Sequence, residues 1–392
     1  MNAFITAVSA VLPGEPVDNQ SLDDYLGAVS HISAKTRQII LKNNGIKTRY
    51  YAIDPTTGRT THTNAQLAAE AVRRLGKGEN ESTPWLQCLR CLCCGTSSAD
   101  QLMPGHGSMV HGELTEVGPC EVITTAGICL SGITAMKYGA LAVALGTTAN
   151  AVATGSELAS TFMRGDFFTA MTGRSSRKGP QEESAKRHPA FSFEAEFLRW
   201  MLSDGAGAVL IENKPAADGL SLRIDWMEIV SHAHQLAACM YAGAVKQEDG
   251  SLLGWREYAR TGGLDCGGVM TVKQDARLLN REIIRTTIME SLPRLIEKYA
   301  LASNTIDWFL PHYSSEYFKQ PVMDGLAAVG LPIPEARWFS NLADKGNTGS
   351  ASFYIILEEL FGSGRLRKGD RILAMIPESG RFSVGWILLT VV

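Results

Sequence analysis

Apolar residues in this chain gather into short runs rich in β-branched side chains, separated by longer stretches with helical spacing. The runs at 1–12, 86–95, 121–125, 150–154 and 207–211 read as strands. Between them, 64–75 places Leu67, Ala68, Ala71, Val72 and Leu75 on one face of an amphipathic helix. Segments 21–26 and 33–43 also read as helices, and 130–145, rich in Ala and Gly and without Pro, as a longer one. The alternation resumes near Leu220. Strands are predicted at 220–230, 306–310, 371–376 and 383–391, with helices at 275–300, 316–329 and 353–361. Strands alternating with helices predict an α/β chain whose sheets are largely parallel and helix-covered. No internal repeat is visible.

Composition narrows this picture. The chain has 392 residues, 45% hydrophobic and 20% charged, which suits a well-filled globular protein of one or two domains. A net charge of −3 gives no sign of a nucleic-acid partner. No run of 18 apolar residues occurs, and Met1-Asn2-Ala3-Phe4 lacks a basic stretch followed by an apolar block. The expectation is a cytoplasmic protein without membrane association. Of eight cysteines, Cys88, Cys91, Cys93 and Cys94 cluster. The spacing of Cys88 and Cys91 would suit zinc, yet no second ligand pair follows. The run leads into a predicted buried strand, so reduced structural thiols are expected and no metal.

The remaining chemistry centres on Cys129, in Ile123-Thr124-Thr125-Ala126-Gly127-Ile128-Cys129-Leu130-Ser131-Gly132, between a predicted strand and a predicted helix. Unpaired N–H groups at a helix N-terminus favour a thiolate, and such a sulfur is a nucleophile. A lone Cys is more often structural, so partners decide. Trp308-Phe309-Leu310-Pro311-His312 is an apolar strand delivering His312 at its end. Asp344-Lys345-Gly346-Asn347-Thr348-Gly349 is a turn placing Asn347 before an apolar helix. Alone, His312 reads as a satisfied structural histidine and Asn347 as a turn residue. Together the three make a nucleophile with two polar partners.

These residues carry a resemblance to the β-ketoacyl-ACP synthase III enzymes of the thiolase superfamily. Asn44-Gly45-Ile46-Lys47-Thr48-Arg49, Gly95-Thr96-Ser97-Ser98-Ala99-Asp100, Gly155-Ser156-Glu157, Asp204-Gly205-Ala206-Gly207-Ala208 and Ser379-Gly380-Arg381-Phe382 resemble further segments of that family, in its order. The resemblance implies an α/β thiolase-like fold: two pseudo-symmetric βαβαβαββ halves, 1–215 and 216–392, in a five-layer αβαβα arrangement. The first half would carry the nucleophile, and the second His312 and Asn347. It implies an acyltransferase that joins two acyl thioesters by Claisen-type condensation through acyl-Cys129. His312 and Asn347 would stabilise the enolate, with the backbone N–H groups of Cys129 and Gly380 as the oxyanion hole. It also implies acyl-CoA or acyl carrier protein as partner, a homodimer in which strand 121–125 continues a sheet across the two-fold axis, and no fixed cofactor. CoA or phosphopantetheine would only carry the substrate.

Departures from the family pattern bear on substrate. Tyr313-Ser314-Ser315-Glu316-Tyr317 follows His312, with Ser315 where the family has Asn, and Tyr317 where it has a carrier-binding Arg. Lys319 follows two residues on, and Arg381 stands where Gly is common. These changes are similar to the branch that joins a β-ketoacyl to an α,β-unsaturated acyl thioester and closes a cyclohexanedione ring. A fatty-acid-initiating synthase using malonyl-ACP, or an acyltransferase to oxygen or nitrogen, are the alternatives. Candidate substrate or carrier contacts are Arg49, Phe162, Phe167, Phe168, Tyr317, Lys319 and Arg381, and ordinary packing is the other reading for the three phenylalanines. Two long segments, 172–187 with five basic residues before an aromatic patch (Phe191, Phe193, Phe197, Trp200), and 235–275, are candidate binding loops.

Overall fold

The computed structural model describes residues 2–29, 32–76, 84–170, 193–262 and 268–392, and segment 172–187 with Phe191 lies outside them. Among the described residues nine strands form one sheet: β1 (Phe4–Val11), β2 (Cys91–Thr96), β3 (Glu121–Ala126), β4 (Asn150–Glu157), β5 (Gly205–Glu212), β6 (Leu222–Ser231), β7 (Trp308–Pro311), β8 (Arg371–Glu378) and β9 (Ser383–Val391). Their order is β7-β8-β9-β6-β1-β5-β4-β2-β3. Only two residue pairs, Phe4 with Arg223 and Ile5 with Leu222, join β1 to β6. On either side of that seam the pattern repeats. β1, β5 and β4 pair antiparallel in succession, then β4, β2 and β3 run parallel. β6, β9 and β8 pair antiparallel, and β8 and β7 run parallel. Where β3 has its counterpart, a single parallel bridge joins Phe309 to Trp338.

Side-chain alternation along these strands builds five layers. Leu92 and Cys94 of β2 face an outer layer of α1 (Asn64–Arg73) and α2 (His106–Glu113), whereas Cys91 and Cys93 face a central one. That central layer holds α3 (Ser131–Leu145) and α7 (Ser352–Gly362), with Ile133 and Met136 in the same cluster as Tyr354 and Leu357. Leu373 and Met375 of β8 face the other outer layer, made by α4 (Ala276–Ile284), α5 (Leu292–Tyr299) and α6 (Lys319–Ala328). The two central helices lie close to the strands because small residues meet there. A Cβ on Gly155 would stand 2.2 Å from the Ser350 carbonyl oxygen.

Local sequence explains the element ends. Thr63 and Gln66 form a reciprocal capping box that starts α1, worth about 1 kcal/mol. Asp275 caps α4 through the Leu278 N–H. The helix expected over 275–300 is interrupted by a π turn at Arg285–Glu290, because Pro293 at the start of α5 has no N–H to continue the ladder. The strand expected over 86–95 begins only at Cys91. The Asn150 amide takes the Cys88 carbonyl and the Arg90 N–H, and Pro84–Cys88 is a 3-10 turn. Cys88 is exposed, and Cys91, Cys93 and Cys94 are buried in β2.

Candidate active site

Three chain reversals at one end of the sheet meet around a cavity of about 490 Å³. The first is the turn between β3 and α3, which carries Cys129. The second is the end of β7, where the His312 N–H continues the ladder to the Met375 carbonyl at 2.8 Å. The third is the loop before α7. Here Asn347 bridges to Leu202: its N–H donates to the Met201 carbonyl and its carbonyl accepts from the Ser203 N–H, both at 2.9 Å. The Gly349 N–H donates to Asn347 Oδ1 at 3.0 Å, leaving Nδ2 without a protein acceptor among the described residues. Gly349 holds a positive φ of 53°, and a Cβ there would strike the Glu157 side chain at 2.8 Å. Cys129, His312 and Asn347 all line the cavity and all are buried.

Burial sets the electrostatics. It pulls the His312 imidazole down to about 4, so the ring is neutral at physiological pH. Neither ring nitrogen has a protein hydrogen-bond partner among the described residues, so both are open to a ligand. The thiol of Cys129 is pushed well above its ordinary value, first by burial and then by the charges of Glu378 and Glu157. This corrects the sequence expectation of a helix-stabilised thiolate. Cys129 stands two positions ahead of α3, and the Ile128 and Leu130 N–H groups donate to Glu378 Oε2 at 3.0 and 3.2 Å. The donors that would have favoured a thiolate are thus taken by a carboxylate. The N–H groups of Cys129 and Gly380 donate to no other residue among the described residues, as an oxyanion hole requires, while the Gly380 carbonyl accepts from the Cys239 N–H at 2.8 Å.

The other sequence candidates divide. Phe162 and Arg381 line the cavity, and the Arg381 Nε–H is held by the Leu236 carbonyl. Phe167 packs edge-on against Phe162 at 6.1 Å and does not itself line the cavity. The Phe168 side chain lies outside the described residues. Arg49 does not reach the cavity. It is fully buried, with its guanidinium on the Trp200 carbonyl and Asn19 Oδ1, and it ties two loops together. Tyr317 and Lys319 do not line the cavity either: Tyr317 is 54% exposed, and Lys319 is paired with Glu316 and Glu335. Phe197 and Trp200 sit in a buried cluster. The described part of segment 235–275 is a wall of the cavity, contributing Ala238, Met240, Tyr241, Leu252, Val272 and Gln274.

Two carboxylates at the site were not among the candidate site residues, although Glu157 closes the Gly155-Ser156-Glu157 segment noted in the sequence. Glu157 ends β4 and Glu378 ends β8, equivalent strands of the two runs. Glu157 is fully satisfied: Oε1 accepts from the Ser97 and Ser350 N–H groups, and Oε2 from the Ser97 and Ser98 hydroxyls. Glu378 receives two hydrogen bonds, both on Oε2. For Glu378 the available signal was a lone acid ending an otherwise apolar strand, Ile372 to Pro377.

Comparison with known proteins adds to the geometry. Residues 296–386 match the family model of the 3-oxoacyl-ACP synthase III C-terminal region, the stretch that carries His312, Asn347, Glu378 and Gly380. This C-terminal stretch of the chain is similar to the synthase III enzymes. A β-ketoacyl-ACP synthase III of Halalkalibacterium halodurans is 27% identical over 194 residues, 48% of this chain and 50% of that one. The chain spans half or less of the length of the curated relatives it matches. Over nearly their whole lengths, two solved structures share the fold of this chain. Xanthomonas campestris OleA with bound lauric acid and lauroyl-CoA is 19% identical (100% of this chain, 99% of that one, TM-score 0.71). AbyA1, a tetronic acid condensing enzyme, is 18% identical (99% of each chain, TM-score 0.71).

Proposed function

We propose that the chain condenses two acyl thioesters, delivered on CoA or an acyl carrier protein, through an acyl-Cys129 intermediate. The observation that carries this reading is the meeting of Cys129, neutral His312 and Asn347 at one buried cavity beside two unpaired N–H donors. In the first step the Cys129 sulfur attacks a thioester carbonyl while the Cys129 and Gly380 N–H groups take the oxyanion. A donor of this kind is worth roughly 3 kcal/mol in a dry site. In the second, the neutral His312 ring and the free Asn347 amide hydrogen-bond the carbonyl of the incoming thioester and stabilise its enolate. Simple transfer to oxygen or nitrogen has no use for that second pair. The largely apolar cavity suits an acyl chain much longer than acetyl, and the lauroyl-CoA held by the OleA neighbour supports the same class of substrate.

Within this reading, the favoured reaction joins a β-ketoacyl to an α,β-unsaturated acyl thioester, with ring closure to a cyclohexanedione. What supports it is the loss of the family's carrier-binding Arg at Tyr317 and the presence of Arg381 in the cavity wall. The competing reading, a starter synthase using malonyl-ACP, draws on the names of the curated relatives. A homodimer is part of the proposal, supported by β3 standing at the sheet edge with no partner on its outer side among the described residues.

Intact-protein mass spectrometry after incubation with acyl-CoA and acyl carrier protein thioesters tests the proposal. One acyl adduct per chain is expected, absent in Cys129→Ala. His312→Ala should retain more of the acylation than of the condensation. Full turnover by Cys129→Ala would sink the assignment.

A further inference from the structure

The two carboxylates that end equivalent strands have different freedom. Glu157 is saturated by four protein donors and braces the loop before α7. Glu378 is anchored by Oε2 alone. Its Oε1 has no hydrogen bond and the side chain has no ion pair among the described residues, and both carboxylates line the cavity with Cys129. Oε1 lies 3.3 Å from where a Cβ on Gly380 would stand, at the oxyanion side of the nucleophile. A carboxylate fixed by one oxygen and bare at the other, next to the reacting sulfur, is built to accept a proton.

From this arrangement, and resting on the condensation reading above, we infer that Glu378 is a catalytic base that takes the α-proton of the incoming thioester, so that the carbon–carbon bond forms without loss of CO₂. Glu378 Oε1 takes the hydrogen from the α-carbon. The C–H electron pair becomes the enolate double bond, and the charge moves to the thioester oxygen held by His312 and Asn347. The enolate carbon attacks the acyl-Cys129 carbonyl, the new C–C bond forms, and the C–S bond to Cys129 breaks. The leaving thiolate recovers the proton from Glu378, which restores carboxylate and thiol together. Negative charge in the cavity stays constant, because carboxylate is exchanged for enolate. A malonyl-type donor would instead bring a second carboxylate beside Glu378, where like charges in a buried site repel. Glu378 therefore also selects for donors without a β-carboxylate.

The test uses Glu378→Gln, whose amide oxygen still accepts from Ile128 and Leu130. The first arm follows hydrogen–deuterium exchange at the α-carbon of lauroyl-CoA in D₂O, in a Cys129→Ala background where acylation cannot occur. Exchange is expected there, and a loss of at least about 100-fold on adding E378Q. The second arm compares donors with Cys129 intact. E378Q should lose at least about 100-fold in product from lauroyl-CoA and less than about tenfold from malonyl-CoA, while acyl-Cys129 is still seen by mass. No exchange in the Cys129→Ala background overturns the base even if acyl-Cys129 forms. Exchange without acyl-Cys129 in the native chain overturns the condensation reading and leaves the base standing. Equal losses with both donors would make Glu378 a positioning residue of the Cys129 loop. Glu378→Asp, which keeps a carboxylate, should restore part of the exchange; a variant failing through misfolding alone would not distinguish it from Gln.

Discussion

Cys129 carries its proton at neutral pH in the resting chain, because burial and two neighbouring carboxylates oppose ionisation. Iodoacetamide should therefore alkylate it slowly at pH 7, and the rate should rise about tenfold per pH unit up to pH 9 without a plateau. Peptide mass mapping checks this, and a plateau below pH 8 would mean a thiolate after all. E378Q should raise the rate at any fixed pH, since it removes one of the two charges. The three residues that carry the proposed chemistry were legible in sequence because each sits in a short motif with its own local grammar: a strand-to-helix turn, a strand end and a glycine turn. Glu378 was not, since its meaning comes from Ile128 and Leu130, 250 and 248 residues away. The state of the Cys129 thiol was misjudged for the same reason. A helix start seen in sequence does not reveal who occupies its N–H groups.

At the level of elements, hydrophobic spacing located most strands and helices to within a few residues, and α1, α3, β3 and β9 nearly to their ends. It failed where one side chain competes for backbone groups, as Asn150 does ahead of β2, and where Pro293 divides α4 from α5. The wall of the cavity made by segment 235–275 was expected only as a binding loop, because its contacts to the rest of the site are tertiary. The packing of the central helices is more exacting than any sequence pattern conveys. Gly155→Ala would force its new methyl against the Ser350 carbonyl, and Gly132 leaves the same carbonyl only 2.5 Å for a Cβ. A loss of about 3 kcal/mol is expected from this overpacking, measurable as a lower urea midpoint at unchanged slope. Because Ser350 follows the Asn347 loop, acylation by long thioesters should fall as well.

Across the whole molecule, the repeated strand order leaves no trace in the sequence. Equivalent strands share a direction and a place in the order, which many different residues satisfy. The sheet ends at β3, whose outer edge has no partner among the described residues, and the neighbouring face of α3 exposes Tyr138, Leu141 and Leu145, the last at 71%. Light scattering on an eluting peak should give twice the 42.4 kDa chain mass. Leu141→Arg should shift the protein toward monomer if this face is the contact. A native mass equal to one chain would remove the dimer from the proposal.

The clamp of Glu378 on the Cys129 loop also orders events in time. A ribosome makes the loop first and must add another 250 residues after Ile128 before Glu378 exists. At roughly 5–20 residues per second, that is a delay of about 12–50 s. Throughout it, the nascent thiol lacks the carboxylate and the burial that restrain it in the finished protein. The cell's own electrophiles meet their best opportunity during synthesis, before the last two strands close the sheet.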